Sequence, residues 1–190
     1  MKNKTQIAKG LVTRFESIRG YFYCDTKLCY FINKEAGNST LHIVSEKVSA
    51  IGNPSMWQNG EQKKVAEHIV SLRIDERLKE GDLELVSDLA NLDVTFSDYE
   101  RWRFFSRYCS IHQPDRFPVY SISTQRVLQS YHSVPNVTGM ISYKDYWKGI
   151  NMVINDLDIN LPNYFCADKF FWIYEGQLIS VLEENKKVIL

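Results

Sequence analysis

The chain has 190 residues, 44% hydrophobic and 13% aromatic, with 23 basic against 23 acidic side chains. That length and apolar content suffice for a buried core without a disulfide or a metal, and they exclude a disordered chain away from the ends. A formal net charge of zero excludes a chain-wide electrostatic grip on nucleic acid, so any such contact has to be local.

The first periodic segment is TQIAKGLVTRFESIRG, where Ile7, Leu11, Phe15 and Ile18 share one face and Gly20 can end a helix. YFYCDTKLCYFIN and TLHIVSEKVSAIG follow, rich in aromatic and β-branched residues and separated by the turn-like KEAGNS. A small hairpin fits them, and so does a helix over the first, because Leu28, Phe31 and Ile32 also fit a helical face. IGNPSMWQNGEQ reads as a loop.

From residue 61 the helical period strengthens. EQKKVAEHIVSLRIDERLKEG sets Val65, Ile69, Leu72 and Leu78 on one face, with Gly81 as its stop, and Asp82 can cap DLELVSDLAN. Ser97 with Asp98 and Glu100 opens a helix through YERWRFFSRYCSIH that stops near Pro114. Ser121 or Ser123 caps STQRVLQSYH. Ser142 with Asp145 opens SYKDYWKGINMVINDL, striped by Tyr146, Ile150, Val153 and Leu157. Pro162 fits the first turn of PNYFCADKFFWIYEG and Gly176 ends it, leaving QLISVLEENKKVIL as a short strand or a frayed helix.

The fold expected is mainly α, a compact multi-helix domain that admits a small N-terminal hairpin. Residues 1–60, an N-terminal helix plus the hairpin segment, are expected to pack on a helical domain over 61–190 as one structural unit. The start, MKNKTQIAKG, lacks the apolar core of a signal peptide, and no apolar run approaches about 18 residues, so a cytoplasmic protein without a membrane partner is expected.

Phosphate-loop, dinucleotide, zinc-protease and nucleophile-elbow motifs are all missing, and no cofactor is expected. Cys24, Cys29, Cys109 and Cys166 form no CxxC pair, so no metal is expected either. Cys109 and His112, three apart at a helix end, have the spacing of a dyad and equally that of a buried thiol beside a capping histidine. Charge is more informative. Arg101, Arg103, Arg107, Arg116 and Arg126 face only Asp115, interleaved with Trp102, Phe104, Phe105, Tyr108, Phe117 and Tyr120. Guanidinium groups bind phosphate bidentately and rings stack on bases, so these arginines with Tyr120 and Ser121 are the candidate binding residues. The same pattern fits a helix with aromatics inward and arginines outward. In ADKFFWIYEG, Asp168 and Lys169 are weak catalytic candidates, as is His112, and a structural role for the pair is the better reading.

Four segments, HIVSLRIDERLKEGDLELVSDLAN, SRYCSIHQPDRFPVYS, SYKDYW and ADKFFWIYEG, resemble a family of uncharacterised bacterial proteins in order and spacing. Its members carry SKYCxxHNPxxYPIYDS in the middle and DKxLWxxGK near the end, and the resemblance covers residues 61–177. That family is distantly similar to the helix-hairpin-helix DNA glycosylases of the oxoguanine type. There a lysine attacks the anomeric carbon of a flipped-out nucleotide and a downstream aspartate stabilises the developing charge. The resemblance puts those two roles at Arg107 and Ser121. Arginine stays protonated and cannot be the amine nucleophile, and serine has no carboxylate. Asp168, Lys169 and Trp172 match the terminal motif.

The resemblance thus implies a non-catalytic, glycosylase-like domain that binds DNA, another nucleic acid or a protein partner through its arginine-aromatic surface. The alternatives are an active nucleic-acid or nucleotide enzyme with relocated residues, and a protein-interaction subunit of a bacterial defence or genome-maintenance system.

Overall fold

The computed structural model describes residues 4–18, 28–30, 32, 34–35, 37–52, 57, 60–131 and 139–184. Among them the chain is helical and contains no strand: α1 Lys4–Ser17, α2 Leu41–Ile51, α3 Glu61–Ser71, α4 Asp75–Glu80, α5 Glu84–Ala90, α6 Asp98–His112, α7 Ile122–Ser130, α8 Tyr143–Leu157 and α9 Tyr164–Glu184. The mainly α expectation holds. The second strand of the suggested hairpin is instead α2. Its Val44, Lys47, Val48 and Ile51 are buried at helical spacing, so the pattern of burial overrides the β-propensity of valine and isoleucine. Residues 28–30 of the first strand candidate are helical, and its other residues lie largely outside the described set, as does Gly20.

The chain forms two compact units, one from residues 1–19 with 120–190 and one from 20–119. In the first, α9 packs on α7 and α1, and α8 also meets α7 and α1. Leu11, Phe15, Val127, Tyr146, Ile150, Phe170 and Leu178 fill that core. In the second, α2 packs on α3 and α6, and α5 on α6, around Val44, Val48, Val65, Ile69, Leu85, Leu89 and Phe105.

Caps explain where many helices begin. Ser97 forms a full capping box with Glu100, while the side chains of Ser121 and Ser142 accept from the backbone N–H of Thr124 and Asp145. Asp82 accepts from the Glu84 backbone N–H at 3.0 Å. Three expectations need correction. The single helix over 61–81 is broken at Arg73, whose φ of 47° is left-handed, and α4 restarts only at Asp75. Pro162 lies ahead of α9, whose first turn is held by Asn163 accepting from the Cys166 N–H at 2.9 Å. Gly176 does not end α9, which continues to Glu184; open space surrounds the glycine, and a lone glycine costs a helix interior only about 1 kcal/mol.

Candidate functional site

The stretch RYCSIHQPDRFPVYS contains the end of α6, a turn in which the Gln113 carbonyl accepts from Arg116 and Phe117, and the start of α7. Its rings point inward: Tyr108, Phe117 and Tyr120 are buried completely, as is Phe105 before them. Tyr120 therefore lies in the core, not on a binding surface. Its hydroxyl donates to Gln125 Oε1 at 2.8 Å and accepts from the Ile141 N–H at 3.0 Å. Ser121 is buried as well, as the α7 cap.

The arginines divide by environment. Arg101 is held by Asp98 and by the Phe96 carbonyl at 3.2 Å, with its Nε buried and unbonded. Arg126 pairs with Glu175 at 3.3 Å. Arg103 donates to the Tyr99 hydroxyl at 2.8 Å one turn away. Arg116 is exposed, donates to the Glu80 carbonyl at 3.4 Å and lies across Gly81, where a Cβ would stand 2.8 Å from its Cδ. Arg107 is half-buried near Cys29, whose thiol is raised by burial and lowered in part by the guanidinium charge.

Of the two residues that the glycosylase resemblance singles out, Arg107 belongs to one unit and Ser121 to the other, where Ser121 is joined through Thr124 to Asp168 of the terminal motif. Ser121 Oγ donates to Thr124 Oγ1 at 2.9 Å, and that hydroxyl donates to Asp168 Oδ1 at 3.4 Å. The Ser121 N–H donates to the Tyr146 hydroxyl at 3.1 Å. Burial, and after it the charge of Asp168, drives the Tyr146 phenol upward, so that hydroxyl stays protonated. Lys169 sits over the Phe165 ring at 5.0 Å. Cys109 and His112 make no dyad: Cys109 is fully buried, its thiol driven up by desolvation, and both imidazole nitrogens are engaged elsewhere.

Those engagements define a cluster that sequence reasoning missed apart from His112. Lys47, on α2 and 1% exposed, directs its ammonium at the Gly37 carbonyl at 3.0 Å, Asn38 Oδ1 at 3.2 Å and His112 Nε2 at 3.2 Å. The Tyr108 carbonyl, 3.1 Å from Nδ1 and one helical turn back, can only accept, so Nδ1 carries the proton of the neutral ring and Nε2, which also lies 3.1 Å from Asn38 Oδ1, is left to accept from Lys47. The imidazole also stacks on the Tyr108 ring at 4.7 Å. Asn38 is fixed on both sides. Its Nδ2 donates to Asp75 Oδ1 at 2.7 Å and its backbone N–H to both carboxylate oxygens at 3.1 Å, while its Oδ1 accepts from the Tyr108 hydroxyl at 2.6 Å.

Taking an ammonium out of water costs several kcal/mol, which the three acceptors and the nearby acids offset. Desolvation pushes Lys47 down to about 8, against the opposing pull of Asp75 and Glu35. His112 falls to about 4, through burial first and then the Lys47 charge. The available signal was Lys47 itself, a lysine in helical phase with Val44, Val48 and Ile51. Among the described residues no group of His, Cys, Asp and Glu is arranged for a metal, and no helix is long and apolar enough to cross a membrane.

Residues 7–116 match the family model HI_0787_N, described as an N-terminal domain. The match takes in Lys47, Asn38, Asp75, Tyr108, His112 and the arginines of α6, and stops short of Ser121 and Asp168. A protein of Haemophilus influenzae, described as an uncharacterized protein, is 30% identical over 112 residues, which are 57% of this chain and 54% of the relative. The chain thus spans about half the length of the relative it matches. No solved structure matches it.

Proposed function

The chain belongs to the HI_0787_N N-terminal domain family, and we propose that it is a helical binding domain that contacts nucleic acid through the arginines of its 20–119 unit. One observation carries this reading. Arg103 and Arg107 stand one turn apart on α6, Arg103 exposed and Arg107 half-buried, so two guanidinium groups share one stretch of the helix. Exposed Arg116 extends the set beyond the helix end. With Phe104, Phe105, Tyr108, Phe117 and Tyr120 in the core, base stacking has little part, and the contact is chiefly to phosphate. On this reading the glycosylase resemblance is one of ancestry, because Arg107 and Ser121 stand where that chemistry uses a lysine and an aspartate.

Filter binding of a DNA duplex across a salt series tests the proposal. Three phosphate contacts give a slope of log K against log salt of about −2.7, and the R103A/R107A double substitution reduces its magnitude by about 2. Absence of binding at low salt defeats the proposal. A protein that copurifies in its place moves the reading to a protein partner.

A further inference from the structure

Arg116 lies in the turn after α6, where its backbone N–H donates to the Gln113 carbonyl at 3.0 Å, and its side chain covers the end of α4. That end closes on Gly81, in the left-handed region with a φ of 75°. The Gly81 N–H donates to the Leu78 carbonyl at 3.2 Å and the Asp82 N–H to the Arg77 carbonyl at 3.0 Å. This closure does not use the Glu80 carbonyl, and Arg116 Nη1 donates to it at 3.4 Å. On the reading that the arginines of this unit contact phosphate, we propose that Gly81 is a positioning residue for that contact. Having no side chain, it seats the Arg116 guanidinium on the end of α4, ready to take a backbone phosphate.

Glycine is needed at this position twice over. The left-handed φ alone would admit asparagine, which tolerates it. The arginine would not admit the Cβ. Built on Gly81, that atom would stand 2.8 Å from Arg116 Cδ, 3.1 Å from Nη1 and 3.5 Å from its Cβ, so the contact runs along the whole side chain. Gly60 gives the comparison: its φ is 83°, yet nothing lies within 4 Å of the corresponding atom. Only at Gly81 does a left-handed glycine also carry an arginine.

The seat leaves the charge available. Among the described residues no carboxylate bonds Arg116, whereas Arg101 and Arg126 are held by Asp98 and Glu175. Asp82, next to the seat, has one oxygen on Arg77 Nε at 2.7 Å and the other on the Glu84 N–H at 3.0 Å. Glu80 engages one N–H of the guanidinium, so a fork of two N–H groups remains for two phosphate oxygens. A freely rotating arginine loses rotamer entropy when it meets a phosphate, and one already lying across Gly81 loses less.

Filter binding of the full chain to a DNA duplex, with Gly81→Asn, Arg116→Ala and the two combined, tests this as a double-mutant cycle, each variant first shown folded by urea unfolding. Arg116→Ala should weaken binding about fivefold and lower the magnitude of the salt slope by about 0.9. Gly81→Asn, which pushes the arginine off its seat, should weaken binding about threefold. In the Arg116→Ala chain Gly81→Asn should have no further effect, whereas a merely structural role for the glycine would weaken both backgrounds alike. Arg116→Lys, which asks nothing of the fold at Gly81, keeps the charge without the fork and should bind about threefold more weakly with the slope unchanged. Unchanged affinity in Gly81→Asn, an equal loss in both backgrounds, or a lysine as good as the arginine overturns the proposal. So does an unchanged Arg116→Ala chain, which would still leave the contact to Arg103 and Arg107. No binding by the unsubstituted chain at low salt defeats that wider reading as well.

Discussion

In the Lys47–His112 pair only one member carries a charge at neutral pH, and it is the lysine. A second proton on His112 would set two cations 3.2 Å apart inside the protein. His112 titrates near 4 when folded, below its ordinary 6.5, so the unfolded chain takes up the proton first. Stability therefore falls as pH drops from 6.5 toward 4, by at most about 3 kcal/mol. Glu100 and Asp156, both held low by their hydrogen bonds, stabilise the folded chain above their ordinary values of 4.5 and 3.8 and lose that contribution only below them. Between pH 6.5 and 4.5 the loss thus belongs chiefly to His112. Urea unfolding at a series of pH values should show it, and His112→Gln, which keeps an acceptor for Lys47, should flatten the slope. Lys47 acts in the same sense higher up: stability rises as pH passes 8, until the Cys109 thiol and the Tyr108 and Tyr146 phenols, all pushed up by burial, oppose it above about 9. An equal slope in the unsubstituted and His112→Gln chains would place the acid sensitivity elsewhere.

The helix ends show what local chemistry can and cannot signal. Arg73 follows the last turn of α3 in the left-handed region, where a side chain is strained and glycine is the usual occupant. It is exposed, so replacing it removes strain without opening the core. Arg73→Gly should raise stability by about 0.5–1 kcal/mol, read as a higher urea midpoint; an unchanged or lower midpoint would mean the αL position is not strained. The break at Arg73 was hidden in the sequence because Val65, Ile69, Leu72 and Leu78 keep a helical period across it, and the period does not report φ. The starts at Ser97, Ser121 and Ser142 were legible because a cap is a bond within four residues. Gly176 misled because its signal is only a propensity, outweighed once neighbouring Tyr174 and Leu178 are buried. The Lys47 cluster was mostly hidden for the opposite reason: its pieces come from residues 37–38, 47, 75, 108 and 112, and nothing near Lys47 in the chain announces Asn38 or Tyr108 as its neighbours.

The unit that joins both ends of the chain was the least legible feature, since α1 meets α8 and α9 across sequence separations of about 150 residues. Two kinds of contact hold α1 there. Lys4 reaches Asp156 and Lys9 reaches Asp158, both pairs lying in or near solvent, where an ion pair contributes about 0.2–1 kcal/mol. Phe15, 1% exposed, meets Phe170 edge to face at 5.7 Å, with Leu11 and Ala8 buried on the same side. Apolar burial should therefore dominate. Phe15→Ala leaves a cavity in this core and should cost about 3–5 kcal/mol, whereas removing both lysines as K4A/K9A should cost no more than about 2 kcal/mol in total. Trp147 and Trp172 lie in this unit, and Trp57 and Trp102 in the other. Urea unfolding followed by Trp147 fluorescence, with the other tryptophans replaced, reads the unit that contains α1. A larger midpoint shift from K4A/K9A than from Phe15→Ala would show that charge, not the buried ring, ties the first helix to the last.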